Sequence, residues 1–148
     1  MPSSTRSGRV AEYTRPATWE DLKRVAGYLE EAGVEYALIG GYALAAHGLV
    51  RLTEDIDVLV NPAAANSRRW IVKQYAIRIN DEFTIDILPG AAGIPWSELE
   101  PYVEDMMLDD VRLRVLNLEG LLKTKSGARP KDQADAAAIR HALEKLGR

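Results

Sequence analysis

Residues 37–60 read ALIGGYALAAHGLVRLTEDIDVLV and decide how this chain folds. The apolar run 34–39 predicts a strand that is covered on both faces. It stops at Gly40-Gly41, and a glycine pair there lets backbone N–H groups come close to a ligand. The segment 42–47 then predicts a short helix, so the stretch reads as strand, glycine turn, helix and second strand.

The second strand, 53–60, carries two aspartates. Asp55 and Asp57 alternate with Ile56 and Val58, so both carboxylates face one way and the apolar pair faces the core. Neighbouring like charges repel unless a cation lies between them, and carboxylate oxygens suit Mg²⁺ or Mn²⁺. An isolated Asp-x-Asp is also consistent with a half-exposed strand that has an acidic outer face.

A third aspartate, Asp86, lies in the sequence TIDIL at 84–88, which again predicts a strand. If the two strands are close, three carboxylates share one face. Without a cation such a cluster costs several kcal/mol, roughly the penalty for buried, unpaired ions. We therefore predict a site for two divalent ions, with Asp55, Asp57 and Asp86 as metal ligands and catalytic residues.

The combination of Gly40-Gly41, DID at 55–57 and Asp86 resembles the signature of the polymerase-beta-type nucleotidyltransferase superfamily. The segments GGYA at 40–43, HG at 47–48, Arg51 and TEDID at 53–57 resemble its small AbiEii-type branch, several members of which are toxins of toxin–antitoxin pairs. The tail LLKTKSGARPKDQAD at 121–135 is similar to that branch's closing segment. Much of the wider superfamily has Gly-Ser in place of Gly40-Gly41, so a hydroxyl contact to phosphate is missing here.

The resemblance implies a metal-dependent transfer of a nucleoside monophosphate from a nucleoside triphosphate to a hydroxyl of RNA or protein. It implies Mg²⁺ (or Mn²⁺) as cofactor, a two-metal mechanism, and an antitoxin as partner. Lys125 would contact the triphosphate, with Asp132 and Asp135 holding the basic group in place. The residues implied in nucleotide binding are Gly40, Gly41, Tyr42, Arg51, Thr53, Lys125, Arg129 and Lys131.

Two residues between the glycines and the aspartates have open roles. Arg51 either binds an oxyanion with its planar guanidinium or orients Asp55 or Asp57. For His47, a packing or hydrogen-bonding role at a helix end is favoured over acid–base chemistry.

Composition limits the class of protein. A chain of 148 residues predicts one domain, which can bury about 68 to 70% of its unfolded surface. With a formal charge of −3, any RNA contact must come from a local basic patch. There is no cysteine, which excludes disulfides and thiolate chemistry. No apolar run approaches about 18 residues, so we expect no membrane segment and a cytoplasmic location.

The remaining sequence predicts a leader and a scaffold. Residues 1–16 predict a flexible leader, and residues 17–148 a nucleotidyltransferase-like domain. Thr18 predicts an N-cap with Asp21 in a capping box, and Gly33 predicts the end of that helix. Further predicted elements are a helix at 63–73, hairpins formed by 75–79 with 83–88 and by 103–108 with 111–116, a loop at 89–93, and helices starting at 117 and 130.

The predicted fold class is α/β. We expect a single-domain nucleotidyltransferase fold, with a mixed sheet of about five or six strands flanked by helices, two of them C-terminal. One alternative is a catalytically inactive module that binds a nucleotide or a partner. A two-metal phosphohydrolase also fits the carboxylates, but it leaves the glycine turn unexplained. The sequence determines neither the acceptor nor the nucleobase.

Overall fold

The computed structural model describes residues 15–49, 55–64, 71–72, 75–80, 83–127 and 129–147. Arg51 and Thr53 lie outside these ranges, as do most of the predicted leader 1–16 and the centre of the predicted helix 63–73.

The first helix, α1 (Trp19–Glu31), begins and ends where the sequence predicts. The Thr18 side chain accepts the Asp21 N–H, and the Asp21 carboxylate accepts the Thr18 N–H at 2.9 Å, which confirms the capping box. Four apolar residues on one face are buried: Leu22, Val25, Ala26 and Leu29. Gly33 follows the helix with φ +70°, a backbone conformation that suits glycine and turns the chain into the first strand.

The sheet is mixed, as expected. The strands in the described ranges are β1 (Tyr36–Ile39), β2 (Ile56–Val60), β3 (Ile71–Val72), β4 (Tyr75–Asn80), β5 (Thr84–Leu88), β6 (Gly90–Ala91), β7 (Ile94–Pro95), β8 (Val103–Leu108) and β9 (Val111–Leu116). Within the described ranges, seven strands form the main sheet in the order β3-β4-β5-β2-β1-β9-β8, and β6 pairs with β7. Strand β2 is parallel to β5 and β1 is parallel to β9, whereas the other pairs are antiparallel.

Helix α2 is Gly40–Ala46, α3 is Trp96–Leu99 with a 3₁₀ turn at Glu100–Tyr102, α4 is Leu118–Lys123 and α5 is Pro130–Lys145. Of these helices, the sequence predicts α2, α4 and α5 but not α3. The Asn117 side chain accepts the Gly120 N–H and so caps α4, while Pro130 starts α5. The two C-terminal helices are therefore confirmed. None of the helices in the described ranges is long and apolar enough to span a bilayer.

Two predicted elements differ in the structure. The helix predicted at 63–73 does not reach its expected end, because Ile71-Val72 is the edge strand β3 beside β4. A β-branched pair next to a strand gains more from the pleated sheet than from a helical turn. The loop predicted at 89–93 instead holds the first strand and the turn of the β6–β7 hairpin, with Ala92 at φ 53° and Gly93 at φ 78° in the turn.

A row of apolar side chains crosses the centre of the sheet and fixes its register. Leu38 is the Cα partner of both Val58 and Val115, and Val58 is the partner of Ile87. None of these four residues is more than 2% exposed. Because a slip of one residue would turn such a row to the opposite face, the row holds β1, β2, β5 and β9 in register.

An ion cluster anchors the start of α1. Asp21 is 2% exposed. Its carboxylate accepts hydrogen bonds from Nη2 of Arg15 at 2.9 Å and from Nη2 of Arg24 at 2.6 Å. These bonds, of which the one from Arg15 has the largest effect, hold the pKa of Asp21 well below its usual range against the opposing effect of burial. The ionised carboxylate therefore stabilises the folded state.

We expect Asp21→Asn to lower the free energy of unfolding at pH 7 by about 1–3 kcal/mol, since it removes a buried charge-assisted network. The lowered pKa gives stability that is complete above about pH 4 and is lost as the pH falls below that value. Urea unfolding at pH 7 and pH 3 checks this, with the exposed Glu144→Gln as control. An equal loss of unfolding free energy at pH 7 and pH 3 would contradict the conclusion that the ionised Asp21 carboxylate stabilises the folded state.

Candidate active site

Two aspartates lie side by side in the middle of the sheet. In the register of the parallel pair β2–β5, Asp57 is the Cα partner of Asp86, so the two carboxyl groups are neighbours on one face of the sheet. Asp57 interrupts a strand whose other four residues are no more than 2% exposed. The sequence predicted that these carboxylates share a face if the strands lie close together, and the register confirms it.

Gly40 makes room for the Asp57 carboxylate. Ile39, the last residue of β1, is the Cα partner of Asp57, so Gly40 begins α2 directly beside it. A Cβ atom placed on Gly40 would lie 2.4 Å from Oδ2 of Asp57, and Gly40 also has φ +74°. Both the contact and the backbone conformation require glycine here.

Three charged groups act on the carboxyl group of Asp57. Burial, which has the largest effect, and the acidic groups of Asp86 and Asp55 together raise the pKa of Asp57 to about 7. The ammonium group of Lys125 opposes them. The structure thus brings the three predicted carboxylates and the predicted triphosphate lysine into one electrostatic neighbourhood.

The ammonium group of Lys125 lies within ion-pair distance of two aspartates of α5. Its Nζ lies 3.1 Å from Oδ2 of Asp135 and 3.9 Å from Oδ1 of Asp132, and only 11% of its side chain is exposed. Nε of Arg129 donates to Oδ2 of Asp132 at 3.1 Å. The expected supporting role of Asp132 and Asp135 therefore has a geometric basis for Lys125 and Arg129.

Gly127 is a residue that the sequence did not single out. A Cβ atom at this position would lie 2.5 Å from Oδ2 of Asp132, so the loop between α4 and α5 passes directly over that carboxylate. A larger residue would push Asp132 away from its partners. In the sequence, a glycine between Lys125 and Arg129 is the one feature that could have indicated this position. Its importance depends on its closeness to Asp132, which the spacing of residues does not reveal.

The Tyr42 side chain packs against the start of α1. It is 5% exposed, its hydroxyl donates to the carbonyl oxygen of Ala17, and its ring meets that of Trp19 edge to face with centroids 5.0 Å apart. The side chain is therefore part of the scaffold, because the nearby α1 start offers it both a polar and an aromatic partner. Only its backbone is left for the predicted nucleotide contact.

The other predicted residues have clear positions. Gly41 is buried in the first turn of α2, and Lys131 is exposed in the first turn of α5. His47 ends α2, where its Nε2 donates to the carbonyl oxygen of Leu116 at 3.0 Å. The packing and hydrogen-bonding role favoured for His47 is confirmed.

The carboxylates fit a divalent cation by chemistry, although their side chains are not already arranged around one. Among the residues that the structure describes, no three His, Asp or Glu side chains are grouped so as to hold a metal ion. Burial and the neighbouring Asp86 raise the pKa of Asp57 to about 7, so this carboxyl group holds its proton over part of the neutral pH range. A hard cation would take the place of that proton, so the donor set suits Mg²⁺ or Mn²⁺. The predicted ligand set of three remains a prediction.

The fold matches that of solved nucleotidyltransferase structures. The chain is similar to the lincosamide antibiotic adenylyltransferase LnuA in a lincomycin-bound structure, with TM-score 0.59 and 15% identity over 84% of this chain and 98% of that one. It is also similar to a putative nucleotidyltransferase from Thermotoga maritima, with TM-score 0.58 and 16% identity over 86% and 92%. No family model and no curated protein sequence matches the chain. The predicted nucleotidyltransferase fold is thus confirmed.

We expect Gly40→Ala to be more destabilising than Gly48→Ala. Both glycines have positive φ, +74° and +86°, but a Cβ at Gly48 meets no atom within 4 Å. The Gly48 variant therefore measures the backbone cost alone, about 1 kcal/mol, and the Gly40 variant adds the clash with Asp57. Chemical denaturation of both variants gives the comparison, and equal losses would show that Asp57 does not press on Gly40.

We expect Asp57→Asn to stabilise the metal-free protein at pH 8 by about 1–3 kcal/mol. The raised pKa means that the folded state holds the Asp57 proton more tightly than the unfolded chain, so the wild type loses stability as the pH rises from about 4 to about 7. The asparagine removes this loss, and its advantage should disappear at pH 4. Thermal unfolding in a chelator at both pH values checks the sign; a less stable variant at pH 8 would contradict it.

Proposed function

We propose that this protein is a metal-dependent nucleotidyltransferase, which transfers a nucleoside monophosphate from a nucleoside triphosphate to a hydroxyl acceptor. The observation that carries the proposal is the placement of Asp57 beside Asp86, against Gly40 and within the field of Lys125. Adjacent acidic groups that are kept partly protonated in the absence of a cation are suited to bind one. The solved structures with this fold support the proposal at the level of the fold.

The triphosphate would lie between the glycine turn and the C-terminal basic group. Backbone N–H groups of Gly40 and Gly41 point to phosphate binding, since glycine allows close approach. Lys125 would contact the triphosphate, because Asp135 already fixes its ammonium group near Asp57. Arg129 and Lys131 lie on the same C-terminal segment and would support it, as would Arg51 and Thr53 in their predicted roles.

Asp55, Asp57 and Asp86 would hold Mg²⁺ or Mn²⁺, which supplies charge neutralisation on the phosphates during the transfer. The acceptor hydroxyl oxygen attacks the α-phosphorus, and the bond from the α-phosphorus to the bridging oxygen of the β-phosphate breaks. Pyrophosphate leaves, and Asp86 would receive the hydroxyl proton. Lys125 would balance negative charge that develops on the departing phosphates. No covalent enzyme intermediate is needed.

One observation favours the second candidate, a module that binds nucleotide without turnover. The described residues contain no grouping of three side chains ready to hold a metal. A binding module needs only the glycine N–H groups and the basic side chains, whereas a transferase needs Asp86 in the transition state. The two functions therefore differ in what they require of Asp86.

We extend the proposal to the acceptor and the biological role. The AbiEii-like motifs support RNA or protein as acceptor and a toxin held in check by an antitoxin in the cytoplasm. The similar structure of a lincosamide adenylyltransferase makes a small hydroxylated molecule the comparison acceptor. Growth arrest on expression of the wild type, and its absence for Asp86→Asn, would be the cellular counterpart of the assay below.

We expect the pure protein to transfer label from an α-labelled triphosphate in Mg²⁺ or Mn²⁺ to one of three acceptors: total RNA, cell protein or lincomycin. Asp86→Asn should lower transfer by roughly 10²-fold or more, since it removes one positioned electrostatic group. Its affinity for the triphosphate should remain nearly unchanged, because the glycine N–H groups, the basic side chains and the metal held by Asp55 and Asp57 still bind the phosphates. Gel and chromatographic analysis of the label, together with calorimetry of triphosphate binding, separates the two effects.

A matched control is Asp110→Asn, which changes an exposed aspartate in the β8–β9 turn and should leave transfer intact. Wild type that binds the triphosphate but labels none of the acceptors would establish the binding module instead. Release of labelled monophosphate to water, without a labelled acceptor, would point to a hydrolase.

A further inference from the structure

The main sheet has an open edge at β8. In the part of the chain that the structure describes, β8 pairs with β9 on one side and with no strand on the other. Its six residues keep an unbroken register with β9, without a bulge and without a proline. A regular edge strand of this length is a template for pairing with another strand. The carboxylates lie on β2 and β5, so the proposed transfer does not use this edge.

The hairpin geometry determines which backbone groups of β8 face outward. The two-residue turn 109–110 is closed by Leu108 and Val111, which form a hydrogen-bonded pair. Hydrogen-bonded pairs alternate along an antiparallel ladder, so the even-numbered residues of β8 bond to β9. The N–H and C=O groups of the odd-numbered residues therefore point to the open edge.

Two methionines make this edge apolar. Met107 is 66% exposed, and Met106 and Leu108 are half-buried. Met106 and Met107 are two of the three methionines in the chain. Methionine is enriched at protein interfaces, since its flexible side chain adapts to a partner surface. The edge thus combines apolar side chains with outward-facing backbone groups.

We infer that β8 pairs with β8 of a second copy of this chain, antiparallel and centred on Met106. Outward-facing residues must pair with each other, and two antiparallel registers then give the longest overlap of β8 with its copy. One register centres on Asp105 and sets that carboxylate directly against its own copy, which is destabilising. The other sets Asp105 opposite Met107 of the second copy and Glu104 opposite Leu108. Only this second register keeps acidic residues from facing each other directly.

The chosen register also joins groups of opposite charge. Met107 is the Cα partner of Arg112, so the two side chains lie on one face of the sheet. Pairing sets Asp105 opposite Met107 of the second copy, and so within reach of the long Arg112 side chain of that copy. In the single chain, Oδ2 of Asp105 lies 3.5 Å from Nη1 of its own Arg112. Each Asp105–Met107 pair also exchanges two backbone hydrogen bonds, about four in the dimer.

Single-cysteine variants test the register, because the chain has no cysteine of its own. Met106 would face its copy in a non-hydrogen-bonded pair with Cα atoms about 4.5 Å apart, which suits a disulfide. We expect Met106→Cys to form a cross-linked dimer about tenfold faster than Met107→Cys under mild oxidation, measured on non-reducing gels. Random collision predicts the opposite order, since Met107 is the more exposed residue. Equal rates, or a faster reaction of Met107→Cys, would overturn the inference.

Charge substitutions at Met107 give a second test on the full chain without cross-links. An interface of one strand is small, so sedimentation equilibrium should show a wild-type dimer that dissociates on dilution. Met107→Glu sets a carboxylate against Asp105 of the second copy, whereas Met107→Lys sets a cation there. Because both variants lose the same apolar side chain, the lysine variant should associate about 3- to 10-fold more tightly than the glutamate variant. Equal association of the two variants, or a wild type that stays monomeric at all concentrations, would overturn the inference.

This inference goes beyond the proposed function and does not depend on it. Strands β1 and β9 separate β8 from β2, so Met107→Glu should leave triphosphate binding and transfer unchanged. A monomeric wild type that transfers label would overturn the dimer alone. A dimer that binds triphosphate but labels no acceptor would support the edge pairing and overturn the transferase alone.

Discussion

The contact between Asp57 and Asp86 is the constraint on which the rest of this structure depends. Two carboxyl groups meet in the interior of a sheet, where burial and mutual repulsion disfavour the ionised form. A fold keeps such a pair only if the surrounding packing overrides the cost. Here the apolar neighbours of Asp57 on β2 are fully buried and Gly40 leaves space for its oxygen. The buried apolar residues of the sheet therefore offset the free-energy cost of burying the two carboxyl groups.

The same residue type has opposite effects at two places in this protein. Asp21 is surrounded by guanidinium groups and a helix cap, which hold its pKa low and make the charge stabilising. Asp57 is buried and has acidic neighbours, which together raise its pKa and make the charge costly in the absence of a cation. Ionised Asp21 therefore stabilises the folded state, whereas ionised Asp57 destabilises it in the absence of a cation.

Lys125 interacts both with the aspartates of α5 and with the carboxylates of the sheet. Its ammonium group is bound to Asp135 and its charge still reaches Asp57, so it balances negative charge on both sides. A lysine held in this way can meet a polyphosphate without first being ordered.

The similar solved structures share this fold at 15% and 16% identity, which shows how little of the sequence the fold itself requires.

The sequence by itself determined the features that depend on neighbouring residues. The capping box at Thr18 and Asp21, the end of α1 at Gly33, the two long hairpins and the alternation around Asp57 all follow from local patterns. Tertiary structure decided the rest, because the deciding contacts join residues far apart in the chain. Only the pairing of β2 with β5 brings Asp57 to Asp86, and only the nearness of Ala17 and Trp19 draws the Tyr42 side chain into the core. Ile71-Val72 joined an edge strand instead of the predicted helix because β4 lies beside it, and local periodicity carries no information about that neighbour.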